Sequence, residues 1–194
     1  MGFYLNFEGY ADNLYLTDLN AYNRKYIYET TMNNSLTNTE FIHSNGFTSL
    51  DPKIKFDTII SNPPHFATPK PNGYKSEQEK LITLDLGMDF HKKFLEDAKK
   101  YMHKDSIIIL IENATGINSD DIIEMAKDDY EIEVGVHDKY GWPGESTFYP
   151  IFLKLKLIFN EIINYSSLSL IHKHWFFKMI KITKYNINYL FNKV

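Results

Sequence analysis

The chain has 194 residues, 43% of them hydrophobic and 24% charged, with a net charge of −4, which suffices for one domain with a sizeable core. It contains no cysteine, so disulfides, thiolate metal sites and cysteine nucleophiles are excluded. No run approaches the roughly 18 apolar residues of a spanning helix, and Met1-Gly2-Phe3-Tyr4-Leu5 lacks the basic and apolar regions of a secretory signal, so no stable membrane insertion and a cytoplasmic location are expected.

Strands and helices alternate along residues 1–156, the pattern of a mostly parallel sheet covered on both faces. Asn13 to Thr17 reads as a strand closing at Asp18, and a helix follows from about Asn20, an N-cap residue type, to about Asn33. Thr39 to His43 is the next strand, closing at Ser44-Asn45-Gly46. Phe56 to Ile60 is the third, closing at Asn62-Pro63-Pro64. Ser76-Glu77-Gln78-Glu79 fits a capping box, and Leu81, Leu84, Met88, Leu95, Ala98 and Met102 follow at helical spacing. One helix to about Met102 is expected, with Gly87 as its weak point. Ile107 to Ile111, inside a strand from Ser106 to Glu112, are consecutive apolar residues, as in a strand buried on both faces. A short helix from about Ser119 to Lys127 precedes two strands, Glu131 to His137 and Thr147 to Lys156, whose short connection makes them antiparallel.

From Leu153 onward seven lysines stand against one glutamate, so of the total of −4 a charge of −10 falls on residues 1–152. The acidic body argues against broad nonspecific duplex binding and still allows a local basic patch. Residues 157–194 are a basic, hydrophobic extension without heptad or alternation. A packing-only extension is the plainer expectation, and amphipathic helices at an interface or nucleic acid the other. His172 and His174 in it stand at i and i+2 with no carboxylate nearby, a poor ligand set, and no metal is expected.

In an open parallel sheet, ligands bind outside the carboxyl ends of the strands. Asp18, Asn45 and Asn62 stand at three such ends. Asp18 can accept the ribose hydroxyls of a nucleoside cofactor, or it can cap the helix that follows. Asn45 sits in ordinary turn chemistry. Asn62-Pro63-Pro64 differs in kind: neither proline can donate a ladder hydrogen bond, so the backbone leaves the sheet directly after Asn62 and is held in a rigid loop. A planar nitrogen attacks a methyl group poorly because its lone pair is delocalised. Asn62 Oδ1 and the Pro63 carbonyl can accept its two hydrogens and favour the charge that builds on nitrogen, with a cofactor supplying the activated methyl and no acid, base or metal required.

Ser61-Asn62-Pro63-Pro64-His65-Phe66 resembles the Asn/Asp-Pro-Pro-aromatic motif of class I S-adenosylmethionine-dependent methyltransferases that act on exocyclic amines of bases or on glutamine amides. The resemblance covers roughly residues 2–156. It implies an α/β, Rossmann-like sheet, mostly parallel with an antiparallel terminal hairpin, and S-adenosylmethionine as cofactor. It further implies Asn62, Pro63 and Pro64 at the target nitrogen, Asn62 bordering the cofactor as well, and His65 or Phe66 stacked on the target. Asp18 would hold the cofactor ribose, Asn45 would lie near its adenine, and Gly2 would be the last glycine of the cofactor loop. The His65-Phe66 order permutes the Phe-His pair of the guanine-N2 methyltransferases of ribosomal RNA. RNA base and protein glutamine both stay open as substrate. The family's first strand and most of its glycine-rich loop have no counterpart ahead of Gly2, and loss of that strand would leave two unpaired edges in the sheet. Weak cofactor binding, or none, is therefore expected of the chain as written, and a non-catalytic remnant or fragment is the alternative.

Trp142-Pro143-Gly144-Glu145 can border the substrate or plug a packing gap. Glu112-Asn113, on the binding edge, is assigned to capping or loop bonding. His43, His91, His103 and His137 carry no spacing signal and are assigned to the surface or a satisfied core.

Overall fold

The apolar run Ile107 to Ile111 lies within the longest strand, β4 (Met102–Asn113), and every residue from Ser106 to Glu112 is buried. The computed structural model describes residues 2–113, 115–135 and 148–156; His137, Trp142 to Glu145, His172, His174 and the whole extension fall outside the described residues. The described residues form two compact units, 2–45 and 46–156.

In the first unit, α1 (Gly2–Phe7), β1 (Leu14–Asp18), α2 (Asn23–Asn33) and β2 (Thr39–His43) follow one another. β1 and β2 pair in parallel from Leu14 opposite Thr39 to Asp18 opposite His43. A β-carbon on Gly2 would lie 2.8 Å from Leu14 Cδ1 and 3.2 Å from Leu16 Cδ2, so the missing side chain is what lets α1 settle on β1. α2 starts one turn later than expected. The Asp18 carboxylate takes the Asn20 N–H at 2.7 Å and Asn20 Oδ1 takes the Tyr22 N–H at 3.0 Å, so both side chains are used in the turn ahead of the helix. Among the described residues of this unit only Leu14 and Ser44 are buried.

In the second unit the strand order is β3-β4-β6-β5, with β3 (Phe56–Ser61), β5 (Tyr130–Val134) and β6 (Phe148–Leu155). β3 runs parallel to β4, whereas β6 is antiparallel to both β4 and β5. The expected antiparallel terminal pair is present, and its second strand is the inner one. Ile108, Leu110, Ile151 and Leu153 on β4 and β6 are fully buried, each worth about 1.5–3 kcal/mol relative to exposure. β4 begins four residues earlier than its apolar pattern indicated. Met102 pairs with Phe56, and Ser106 ties the irregular stretch between, accepting from the His103 N–H at 2.7 Å and donating to the Phe56 carbonyl at 2.6 Å.

The single helix expected from Ser76 to Met102 is divided. α3 (Glu77–Thr83) starts at the N-cap Ser76, whose hydroxyl accepts the Glu79 N–H at 3.0 Å; Glu79 answers by accepting from Lys75 N–H at 2.6 Å rather than from Ser76. The chain then extends through Leu84 and turns through Gly87 and Met88, both with left-handed φ, of 65° and 62°. A second helix, α4 (Asp89–Ala98), and a 3-10 turn, Lys99–Tyr101, follow. This interruption resets the helical phase: Met88, Leu95, Ala98 and Met102 are buried as the spacing required, but Leu81 is 61% exposed. α5 (Ser119–Ala126) forms where expected, capped by Asn118 Oδ1 on the Asp120 N–H at 3.2 Å.

Candidate functional site

Asn62-Pro63-Pro64 leaves the carboxyl end of β3 beside the end of β4, where Glu112 and Asn113 lie. Asn62 is exposed, Pro63 is buried and Pro64 is half-buried. Two neighbours clamp the backbone that follows. On one side Phe66 donates its N–H to the Thr83 carbonyl at 3.0 Å and accepts the Asp85 N–H at 2.9 Å, as a short parallel bridge to Leu84. On the other, the Ile117 N–H donates to the His65 carbonyl at 2.7 Å. The loop that presents Asn62 is thereby fixed from both sides, as preorganised recognition of a small planar group requires.

His65 and Phe66, which the motif left as alternative stacking residues, have different surroundings. The His65 ring is 11% exposed, meets the Phe148 ring edge-on at 5.2 Å between centroids, and has Nδ1 3.5 Å from Glu112 Oε2. Phe66 is half-buried.

Behind His65 lies a buried group of charges that the sequence did not reveal. His91 on α4 is 1% exposed, with Nδ1 2.5 Å from Asp85 Oδ2 and Nε2 3.0 Å from Glu112 Oε1. Asp85 also accepts the backbone N–H groups of Phe90 at 2.7 Å and His91 at 3.1 Å, which brings the chain back after the left-handed turn. Burial works against a charge on His91, yet the hydrogen bonds and charges of Asp85 and Glu112 outweigh it and raise its pKa to about 9. Burial also opposes the charge on Asp85, and the hydrogen bonds from His91 and Phe90 nevertheless hold it below the usual carboxylate range. Tyr149 on β6, opposite Glu112, is pushed up to about 12 by burial and by the Glu112 charge; its hydroxyl donates to the Ile117 carbonyl at 3.1 Å. Asn113 serves loop bonding as expected, accepting from Thr115 N–H at 2.9 Å and Thr115 Oγ1 at 2.7 Å. Glu112 does not: it is fully buried and joins two histidines. The one hint in the sequence was a glutamate closing a five-residue apolar run. Among the described residues no group of histidine and carboxylate side chains is placed to hold a metal ion, and no helix is long and apolar enough to cross a membrane.

The other expected ligand-binding residues belong to the first unit. Asp18 and Asn45 stand together at the carboxyl ends of β1 and β2, where the Ser44 N–H donates to the Asp18 carbonyl at 3.0 Å. Asn45 is exposed. The Asp18 carboxylate accepts from Asn20 N–H and, at 2.7 Å, from Asn23 Nδ2, so it holds the turn ahead of α2 and does not cap the helix, whose N-cap position is Tyr22. A carboxylate has about four acceptor sites, and two remain for hydroxyl groups. Gly2 opens α1, its contacts being those of helix-on-strand packing. This donor and acceptor set fits a ribose and an adenine amine.

No protein-family model matches the chain. Over 132 residues, 64% of its length, it is 30% identical to the release factor glutamine methyltransferase of Fusobacterium nucleatum subsp. nucleatum, and it spans 36% of that protein. Its structure is similar to that of a ribosomal protein L11 methylase from Lactobacillus delbrueckii subsp. bulgaricus, with a TM-score of 0.52 and 11% identity over 76% of this chain and 60% of the other. It is also similar to the T. thermophilus 16S rRNA N2 methyltransferase solved with AdoMet and guanosine, with a TM-score of 0.51 and 14% identity over 74% of this chain and 32% of the other. The chain thus has the mixed α/β, Rossmann-like fold of the class I methyltransferases.

Proposed function

We propose that the chain performs methyl transfer from S-adenosylmethionine to a planar nitrogen, with a protein glutamine amide as the first substrate to consider. The observation that carries the reading is the Asn62 loop: an exposed asparagine at the carboxyl end of a parallel strand, followed by a buried proline and anchored on both sides. When bound, the cofactor supplies an activated methyl group. Asn62 Oδ1 and the Pro63 carbonyl accept the two hydrogens of the target nitrogen, orient its lone pair and stabilise the positive charge that grows on it. Asp18 would accept hydroxyl hydrogens of the cofactor ribose and Asn45 would lie near its base, while Gly2 keeps α1 close to β1. An exocyclic amine of an RNA base offers the same two N–H groups; the 30% identity to a glutamine methyltransferase is the reason to test the amide first. The test is mass spectrometry of a glutamine-bearing release-factor domain after incubation with the chain and S-adenosylmethionine. A gain of one methyl group on a glutamine side chain supports the reading; no gain on it, with methylation of RNA instead, overturns the choice of substrate.

A further inference from the structure

The cluster behind the Asn62 loop is an unusual filling for a core. Asp85, His91 and Glu112 are 4%, 1% and 0% exposed, and each ionised group taken from water costs several kcal/mol before its partners compensate. An apolar trio would fill the same volume at no such cost. The three groups come from three elements and end on a fourth. Asp85 precedes α4, His91 is on α4, Glu112 is on β4, and His65 follows β3. Each link has a direction. His91 faces a carboxyl oxygen with each of its nitrogens, so both carry N–H and the ring is a cation. Its Nε2–H then holds Glu112 Oε1, which leaves Oε2 turned to His65 Nδ1. The groups facing this line are Phe90 beside His91 on α4, Phe148 at the His65 ring, and Tyr149 on β6.

We infer that His91 and Glu112 are positioning residues for the acceptor loop: His91, pinned by Asp85, orients Glu112 so that its second oxygen fixes His65 in the tautomer with the proton on Nδ1. The effect on rate rests on the methyl-transfer reading; the tautomer does not. A free imidazole favours the proton on Nε2, so the Nδ1–H form is a signature of the Glu112 contact. His65 directly follows the two prolines of the acceptor loop, and a displacement of about 1 Å at a reacting group can lower a rate about 100-fold.

The experiment is a long-range proton–nitrogen correlation spectrum of the histidine rings of the full 194-residue chain at neutral pH, for wild type, Glu112→Gln and His91→Gln. In wild type His91 shows two protonated nitrogens and His65 the Nδ1–H tautomer. In Glu112→Gln the new amide oxygen accepts from His91, which turns the amide NH2 toward His65 Nδ1 and drives His65 to the Nε2–H form. In His91→Gln the His65 signals broaden or divide between tautomers. If methyl transfer is observed, both variants lower kcat about tenfold or more with KM for the acceptor little changed. A wild-type His65 in the Nε2–H form, or His65 signals untouched by Glu112→Gln, overturns the inference, and the wild-type spectrum decides even if a variant does not fold. The spectra need neither cofactor nor substrate. Expected spectra without methyl transfer would contradict the proposed function alone, and transfer with a wrong tautomer would contradict this inference alone.

Discussion

A β-carbon on Gly116 would lie 2.0 Å from the His65 carbonyl oxygen, and that oxygen accepts the next residue's N–H, from Ile117, at 2.7 Å. The loop after β4 therefore reaches the loop after β3 backbone to backbone, and no side chain fits between them. Gly116→Ala is expected to cost about 1–3 kcal/mol, the usual range for forced overpacking, and to displace the Asn62 loop. Denaturant unfolding compared with wild type measures the first effect; an unchanged midpoint would mean that the two loops separate freely.

The pinned His91 gives the chain a pH-dependent stability of definite sign. Its pKa is about 9 in the folded state against an ordinary value of 6.5, so its contribution is fully present below about 6.5 and is lost as the pH rises through 9. The contribution is about 3 kcal/mol. Asp85 has the opposite sense: its carboxyl is held below 3.8, so its contribution is present above that pH and is lost on acidification through the lowered folded value. Chemical denaturation across this range should show stability falling from pH 6.5 to 9 in wild type and no such fall in His91→Gln. An identical decline in both proteins would locate the titrating group elsewhere.

The two units differ in how much they bury. β4 has seven consecutive buried residues from Ser106 to Glu112, whereas α2 has none and residues 2–45 have two among those described. Amides that open with little loss of burial exchange at low free energy. Native-state hydrogen exchange should find Ile108 to Leu110 exchanging only through global unfolding, and the amides of α2 and β1 through much cheaper openings. Equal protection in α2 and β4 would contradict this.

The sequence made the Asn62 loop legible because proline chemistry is local: a strand followed by two prolines has to leave the sheet at that point. The positions of Asp18 and Asn45 at the ends of β1 and β2 were legible for a related reason, since each closes a short apolar strand. The buried trio was not. Asp85, His91 and Glu112 are six and twenty-one residues apart on different elements, and only the packing of α4 against β4 brings them together. The divided helix was hidden by its own pattern. Leu81, Leu84 and Met88 keep helical spacing across a segment that becomes extended because Leu84 bridges to Phe66, a contact eighteen residues distant that periodicity cannot register. The antiparallel pair was predicted from its short connection, but nothing in the sequence says that β6 would insert between β4 and β5.

Asn62 carries the central claim, and its exposure makes it a clean probe because its loss costs little packing. The most direct measurement is transfer of labelled methyl from S-adenosylmethionine, at saturating concentration, to a glutamine-bearing release-factor domain by wild type and by Asn62→Ala, with cofactor affinity and unfolding midpoint measured for both. The expected outcome is label on glutamine with wild type, a loss of 100-fold or more, about 3 kcal/mol of transition-state stabilisation, in Asn62→Ala, with the midpoint unchanged and cofactor affinity nearly so. Equal transfer by the two proteins, or none by wild type to either a glutamine amide or an RNA base, would contradict it.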